Sequence, residues 1–163
     1  MTYLIADTHF GHFNSIRYCD RPYFTVEEMD KSLLTNWNNT VKENDIVFHL
    51  GDVCFKWNKE RTADFIHKLN GHKILIMGNH DASHTTTYWK EVGFEEVTRS
   101  NYIYNNYLLS HYPQKQLNGM KNIFGHIHQK PLDPIEFLHQ ENYICVCVEI
   151  INYTPILFEE AIK

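Results

Sequence analysis

Five short segments carry side chains of the kinds that bind metals or move protons: Asp7-Thr-His9, Gly51-Asp52, Gly78-Asn79-His80-Asp81, Ser110-His111 and Gly125-His126-Ile-His128. Carboxylate oxygen, amide oxygen and imidazole nitrogen are donors suited to divalent transition metals. Imidazole is also the side chain that exchanges a proton most readily near neutral pH. Asp7/His9 and His126/His128 are spaced i, i+2, and in extended backbone such pairs project to one side, so both members can reach one centre. A lone histidine is more often a hydrogen-bonded structural residue, and His49, inside an apolar run, is read that way. The ordered set of five, each after a β-type run, points to a metal centre.

The elements that must position these segments follow from the hydrophobic pattern. Tyr3 to Ala6, Asp45 to Leu50 and Lys73 to Met77 read as buried strands. Thr25-Val-Glu-Glu28 is a capping-box signature, and Met29, Leu33, Leu34 and Trp37 continue it as a helical stripe. A helix over Lys59 to Leu69 is stopped by Asn70-Gly71. A short helical piece lies near Tyr88 to Val92, and strand-like runs follow at Glu95–Thr98, Tyr102–Tyr104, Tyr107–Ser110, Asn122–Phe124 and Tyr143–Val148. Pro155 is placed at the start of a last short helix. The β-α-β-α-β front half implies parallel strands, and the back half a second, more antiparallel sheet. The expectation is one α/β domain over residues 1–163, with two packed mixed β-sheets flanked by helices. Sites in open α/β sheets form beyond the carboxyl ends of strands, where the five segments fall.

Composition narrows the function classes. With 163 residues, 43% of them hydrophobic and 14% aromatic, the chain can build a real core. A formal charge of −5 disfavours a protein that coats bulk duplex nucleic acid or anionic membrane. No transmembrane or secretory pattern is visible, and no Cys-x-x-Cys pair occurs among Cys19, Cys54, Cys145 and Cys147. These cysteines read as reduced thiols of a cytoplasmic protein, with strand packing favoured over a Cys-x-Cys metal pair at 145/147.

The set Asp-x-His, Gly-Asp, Gly-Asn-His-Asp, His, Gly-His-x-His resembles the calcineurin-like metallophosphoesterases over Asp7 to His128. Thr8-His-Phe-Gly-His12, His49-Leu-Gly-Asp52 and Asn152-Tyr-Thr-Pro155 resemble their small single-domain bacterial and phage members. The resemblance implies a sandwich of two β-sheets flanked by helices. It implies that Asp7, His9, Asp52 and His128 hold one metal, and that Asn79, His111, His126 and again Asp52 hold a second. Asp52 would bridge because a carboxylate has two oxygens to share. Two divalent transition ions are implied, Mn²⁺ favoured, with Fe, Ni, Co or Zn also suited to such nitrogen and oxygen donors. Metals roughly 3.5–4 Å apart clamp phosphate oxygens and activate a bridging hydroxide that attacks phosphorus in line. His80 would be the general acid for the leaving oxygen, and Asp81 would orient the His80 ring through a hydrogen bond. His12 and Asn14, just after the first motif, are candidates to face the substrate phosphate. Arg17, Arg21, Lys56 and Trp57 are read as solvated or packing residues before substrate contacts.

The departures from the family pattern refine the substrate. Gly51-Asp52 is followed by Val-Cys-Phe-Lys-Trp and Asp81 by Ala-Ser-His, without the arginines of protein-dephosphorylating relatives. That removes a bidentate phosphate clamp and favours a phosphodiesterase, or a loose phosphomonoesterase, acting on a small or nucleotide-like substrate. The alternative is a catalytically weak scaffold of the same fold that binds a partner protein. The resemblance admits a homodimer, although no sequence feature supports one.

Overall fold

The computed structural model describes residues 1–133 and 139–163. The first sheet is built from β1 (Thr2–Ile5), β2 (Ile46–His49), β3 (His72–Ile76), β4 (Glu96–Thr98) and β9 (Ile156–Leu157), in the order β4-β3-β2-β1-β9. All its pairings are parallel except β1 with β9. The second contains β5 (Tyr102–Tyr104), β6 (Tyr107–Ser110), β7 (Lys121–Phe124) and β8 (Tyr143–Cys145), in that order. Both sheets are mixed, and helices α1 (Phe13–Tyr18), α2 (Val26–Thr40), α3 (Lys59–Ile66), α4 (Thr86–Glu91) and α5 (Phe158–Ala161) complete the fold.

Strand alternation divides the core in two. Tyr3, Ile5, Val47 and Leu75 join a cluster with Met29, Leu33 and Trp37 of α2, Ile66 of α3 and Trp89 of α4. Their sequence neighbours Leu4, Ala6, Phe48 and Ile76 meet Leu109, Ile123 and Val146 of the second sheet's layer. β1 to β3 thus bury both faces, which is why their sequences read as unbroken apolar runs. The Thr25 hydroxyl accepts the Glu28 N–H at 3.1 Å, and the Glu28 carboxylate accepts the Phe24 N–H at 2.9 Å, so α2 starts as the pattern demands. Asn58 and Thr85 cap α3 and α4 by accepting the Arg61 and Tyr88 N–H groups.

Four expectations are corrected. Two of the three pairings in the second sheet, β6–β7 and β7–β8, are parallel, because its strands are joined by long crossings rather than by hairpins alone. The Glu96–Thr98 strand extends the first sheet, pairing with β3. The run from Tyr143 leaves the ladder after Cys145, and Cys147 turns to bridge Ala6 at the other sheet. After Pro155 the chain makes the short β9 before its last helix.

Trp37 is fully buried and donates from Nε1 to the Asn70 carbonyl at 2.9 Å, tying α2 to the turn before β3. In urea unfolding, Trp37→Ala is expected to lose about 3–5 kcal/mol. Thr25→Ala, which removes only a helix cap, is expected to lose about 1 kcal/mol.

Candidate metal centre

The five segments leave the carboxyl ends of β1, β2, β3, β6 and β7, so both sheets deliver their loops to one crest. Neighbouring loops are stitched by backbone hydrogen bonds: Asp7 N–H to Gly51 O at 2.9 Å, His9 N–H to Asp52 O at 3.0 Å, and Gly125 N–H to His111 O at 3.0 Å. The backbone at the ligand pairs is not extended, as the i, i+2 argument assumed. Asp7, His9, Asp52, His126 and His128 have φ of 59°, 49°, 59°, 71° and 52°. Each pair still converges, because both of its members turn through the left-handed region.

Among the described residues there are four groups whose donor atoms lie within 4.8 Å of one another, and two of them share no residue and contain only expected ligands: Asp7, His9 and His128, and Asp52, His111 and His126. Asp52 Oδ2 lies between them, 3.7 Å from His9 Nε2 and 3.6 Å from His111 Nε2. Asp52 Oδ1 accepts the His80 N–H at 2.9 Å. The expected sharing of both Asp52 oxygens is therefore corrected: both groups face Oδ2. Asn79 Oδ1 joins the second group at 3.0 Å from His111 Nε2.

Gly51 and Gly78 make the close approach of these loops possible. A Cβ on Gly78 would sit 2.2 Å from Asp52 Oδ1, and one on Gly51 would sit 2.5 Å from Gly78 N. Gly51 also has φ of 94°, a conformation disfavoured for side-chain-bearing residues.

The donor set fits divalent cations. His111 Nδ1 lies 2.7 Å from the Leu50 carbonyl, which can only accept, so the ring proton is on Nδ1 and Nε2 offers a lone pair. That lone pair meets the acceptors Asn79 Oδ1 and Asp52 Oδ2. Asp7 Oδ1 is buried with no hydrogen-bond partner among the described residues. A buried carboxylate oxygen left so is costly, and a cation between it, His9 and His128 would relieve it. Burial, with the Asp52 charge adding, pushes the Asp7 carboxyl up to about 7. Burial pushes Asp52 up as well, and holds His9 well below the imidazole range. His126 falls to about 4 through burial and the nearby His111. Burial opposes charge on His128 too, but hydrogen bonds with Cys19 and Glu149 and the charges of Asp7 and Glu149 outweigh it, raising the ring to about 10.

His80 is partly open, its side chain 35% exposed, with Nε2 3.9 Å from Asp52 Oδ2. Asp81 does not reach the His80 ring to orient it, which corrects that expectation. Its Oδ2 accepts the Asp52 and Gly78 N–H groups at 2.7 and 2.8 Å, and its Oδ1 accepts the Val53 N–H at 3.0 Å. The side chain is fully consumed in holding two ligand loops together. His12 stacks on Phe55, centroids 3.9 Å apart, and its ring lies 5.9 Å from that of His80. Asn14 lines a groove with His12, Phe13 and Lys56, and is in neither group of candidate ligands.

Several neighbours take roles at the centre that the sequence reading did not assign to them. Arg21 is buried and donates to the Asp7 and Thr8 carbonyls at 2.7 and 2.9 Å. Glu149 accepts from Arg21 and from His128 Nδ1. The Tyr112 hydroxyl donates to Asn79 Oδ1 at 3.1 Å, and its ring lies 4.2 Å from that of His126. Cys147 Sγ sits 3.2 Å from Asp7 Oδ2, behind the first ligand group. Tyr112, adjacent to His111, is visible in the sequence as a residue that could stack on substrate, and Arg21 as a nearby cation; nothing there distinguished Glu149 from other acidic residues.

The family model for calcineurin-like phosphoesterases matches residues 2–154. An uncharacterized protein of Methanocaldococcus jannaschii is 40% identical over 168 residues, covering 99% of this chain and 89% of that protein. The Gene 66 protein of Mycobacterium phage L5 is 30% identical over 137 residues, 69% of this chain and 63% of the phage protein. A crystal structure of a protein of unknown function from Aquifex aeolicus superposes with a TM-score of 0.79 at 28% identity, covering 98% of this chain and 96% of that one.

Loading metal must expel the protons that occupy ligand atoms. At pH 7 the metal-free His128, raised to about 10, is protonated, and Asp7, raised to about 7, is half protonated. Titration with Mn²⁺ is therefore expected to release about one to two protons per chain, with affinity climbing from pH 6 to pH 8. Calorimetry in buffers of different ionisation enthalpy counts them, and pH-independent binding without release would contradict the assignment.

Proposed function

The chain belongs to the calcineurin-like phosphoesterases, and from that premise we propose that it hydrolyses phosphodiester bonds of small or nucleotide-like substrates with two divalent metals, Mn²⁺ foremost. The observation that carries this reading is the convergence of two donor groups on Asp52 Oδ2 with His80 standing over it. Metals bound there would supply positive charge for phosphate oxygens and an activated water as nucleophile.

The chain's own groups supply the rest. Asp7, His9, Asp52 and His128 would hold one ion, and Asn79, His111, His126 and the same Asp52 oxygen the other. The His80 imidazole would give a proton to the leaving alkoxide oxygen, its residue held over the site by the His80 backbone N–H on Asp52 Oδ1 at 2.9 Å. His12, stacked on Phe55, would contact the phosphate from one side.

Two clefts favour a diester. One of about 450 Å³ is lined by Phe55, Lys56, Trp57, His84 and Trp89. The other, of about 440 Å³, is lined by His12, Tyr18, His128, Gln129 and Lys130. Among the described residues His80 is the one common to both. A phosphate at His80 would thus find room for a substituent on each side, and aromatic walls suit a nucleobase or another flat group. No helix among the described residues is long and apolar enough to cross a membrane. The unpaired thiols of Cys19, Cys54, Cys145 and Cys147 suit a cytoplasmic setting.

Metal-stripped protein supplied with Mn²⁺ is expected to hydrolyse bis-p-nitrophenyl phosphate faster than p-nitrophenyl phosphate, and to be inactive without metal. A monoester preference, or no turnover with both metals bound, would overturn the reading. His80→Asn is expected to keep metal and fold while losing about 10²–10⁴-fold in turnover on alkyl diesters. Its loss on nitrophenyl esters should be much smaller, since their leaving groups need little protonation; equal losses on both would remove His80 from proton transfer.

A further inference from the structure

We propose that Glu149 is a positioning residue that holds His128 in the tautomer able to take a metal, and so governs the position shared with Asp7 and His9; the proposal rests on the metal-centre reading above. His128 Nδ1 lies 3.0 and 3.1 Å from the two Glu149 oxygens. A carboxylate only accepts, so the ring keeps its Nδ1 proton toward Glu149, and Nε2 is the nitrogen freed for a metal when the ring gives up its second proton. His128 Nε2 faces Asp7 Oδ1 at 3.9 Å, the buried carboxylate oxygen with no hydrogen-bond partner among the described residues.

Glu149 is itself fixed from behind. Arg21 Nε and Nη2 lie 2.8 and 2.7 Å from its Oε1, and both side chains are wholly buried. The same guanidinium donates from Nη2 to the Asp7 carbonyl at 2.7 Å and from Nη1 to the Thr8 carbonyl at 2.9 Å. One buried cation therefore sets both the backbone of the first ligand pair and the carboxylate behind the last ligand. Such a planar fork with several fixed acceptors leaves little freedom to either. Glu149 lies outside the motif segments, 21 residues beyond His128 and 128 beyond Arg21.

Glu149→Gln isolates the tautomer. The amide oxygen can still accept from Arg21, but the amide nitrogen then faces His128 Nδ1 as a donor. The Nδ1 proton then keeps one acceptor, the oxygen shared with Arg21, meets a donor in place of the other and loses the negative charge that held it. The tautomer protonated on Nε2, which has no lone pair for the metal, therefore gains population. Mn²⁺ titration of the metal-free protein, read by calorimetry and by metal content after desalting, is expected to show one position weakened about 10–100-fold and the other unchanged. Glu149→Asp keeps the negative charge that buried Arg21 requires, which protects the fold, and is expected to weaken the same position by a smaller factor. In a His128→Ala background, Glu149→Gln should add no further loss, because its effect runs through that ring. Two-site binding unchanged in both Glu149 variants, equal loss at both positions, or a further loss without His128 would each overturn the proposal. Wild-type protein that binds two Mn²⁺ but hydrolyses no ester would overturn the phosphoesterase reading and leave this role of Glu149 standing. Active wild type alongside a Glu149→Gln chain that binds like it would do the reverse.

Discussion

Buried carboxylates that grip backbone N–H groups of other loops hold the crest of this protein together. Asp81 accepts from Asp52, Val53 and Gly78, Asp52 from His80, and Asp7 from His126. Three of the first four contacts lock the loops after β2 and β3 to each other, and the Asp81–Gly78 bond closes the second of these loops on itself; the last contact crosses from the first sheet to the second. Each bond satisfies a negative oxygen and a buried amide at once, which neutral partners would do less strongly. Without them, three carboxylates in a nearly dry crest would repel one another and draw water between the sheets. The loops that carry Asp7, Asp52, Asn79 and His126 are set by this network before any metal is considered.

The network also supports backbone that would not be stable alone. Left-handed φ at Asp7, His9, Asp52, His126 and His128 is unfavourable for residues with side chains, and its concentration at one crest is the mark of a functional site. The conformations reverse the chain sharply at strand ends, so that side chains from five strands aim at a space a few ångströms wide. Two packed cores beneath, one against the helices and one between the sheets, supply the rigidity that resists relaxation of these turns.

Much of this was legible because strong local signals agreed with the global fold. The Thr25 cap and the Met29–Leu33–Trp37 stripe predict α2, and β5 and β6 have the bounds expected from Tyr102–Tyr104 and Tyr107–Ser110. The sequence segments rich in His and Asp do meet at one place, as their positions after β-type runs suggest. What was not legible depended on distant partners. α1 is six residues long with no side-chain cap and only Ser15 and Ile16 buried, too little for a periodic signal. The parallel direction of β7 and β8 is set by the path of the connections, which apolar runs do not encode. Asp81 looks like a companion of His80 in sequence, yet the folded loop turns its carboxylate down to the backbone of the neighbouring loop. Glu149 acquires its meaning only when Arg21 and His128 are brought to it.

The two clefts that part at His80 are made by different stretches of chain. Phe55 to Trp57 and Ser83 to Trp89 wall one; Ser15 to Asp20 and Gln129 to Pro131 wall the other. Neither wall supplies the carboxylates that clamp the crest. Mutational drift can therefore remodel one cleft while leaving the other and the ligand geometry intact. Such a layout lets related chains diverge in what they accept through loop changes alone, with the chemistry inherited unchanged.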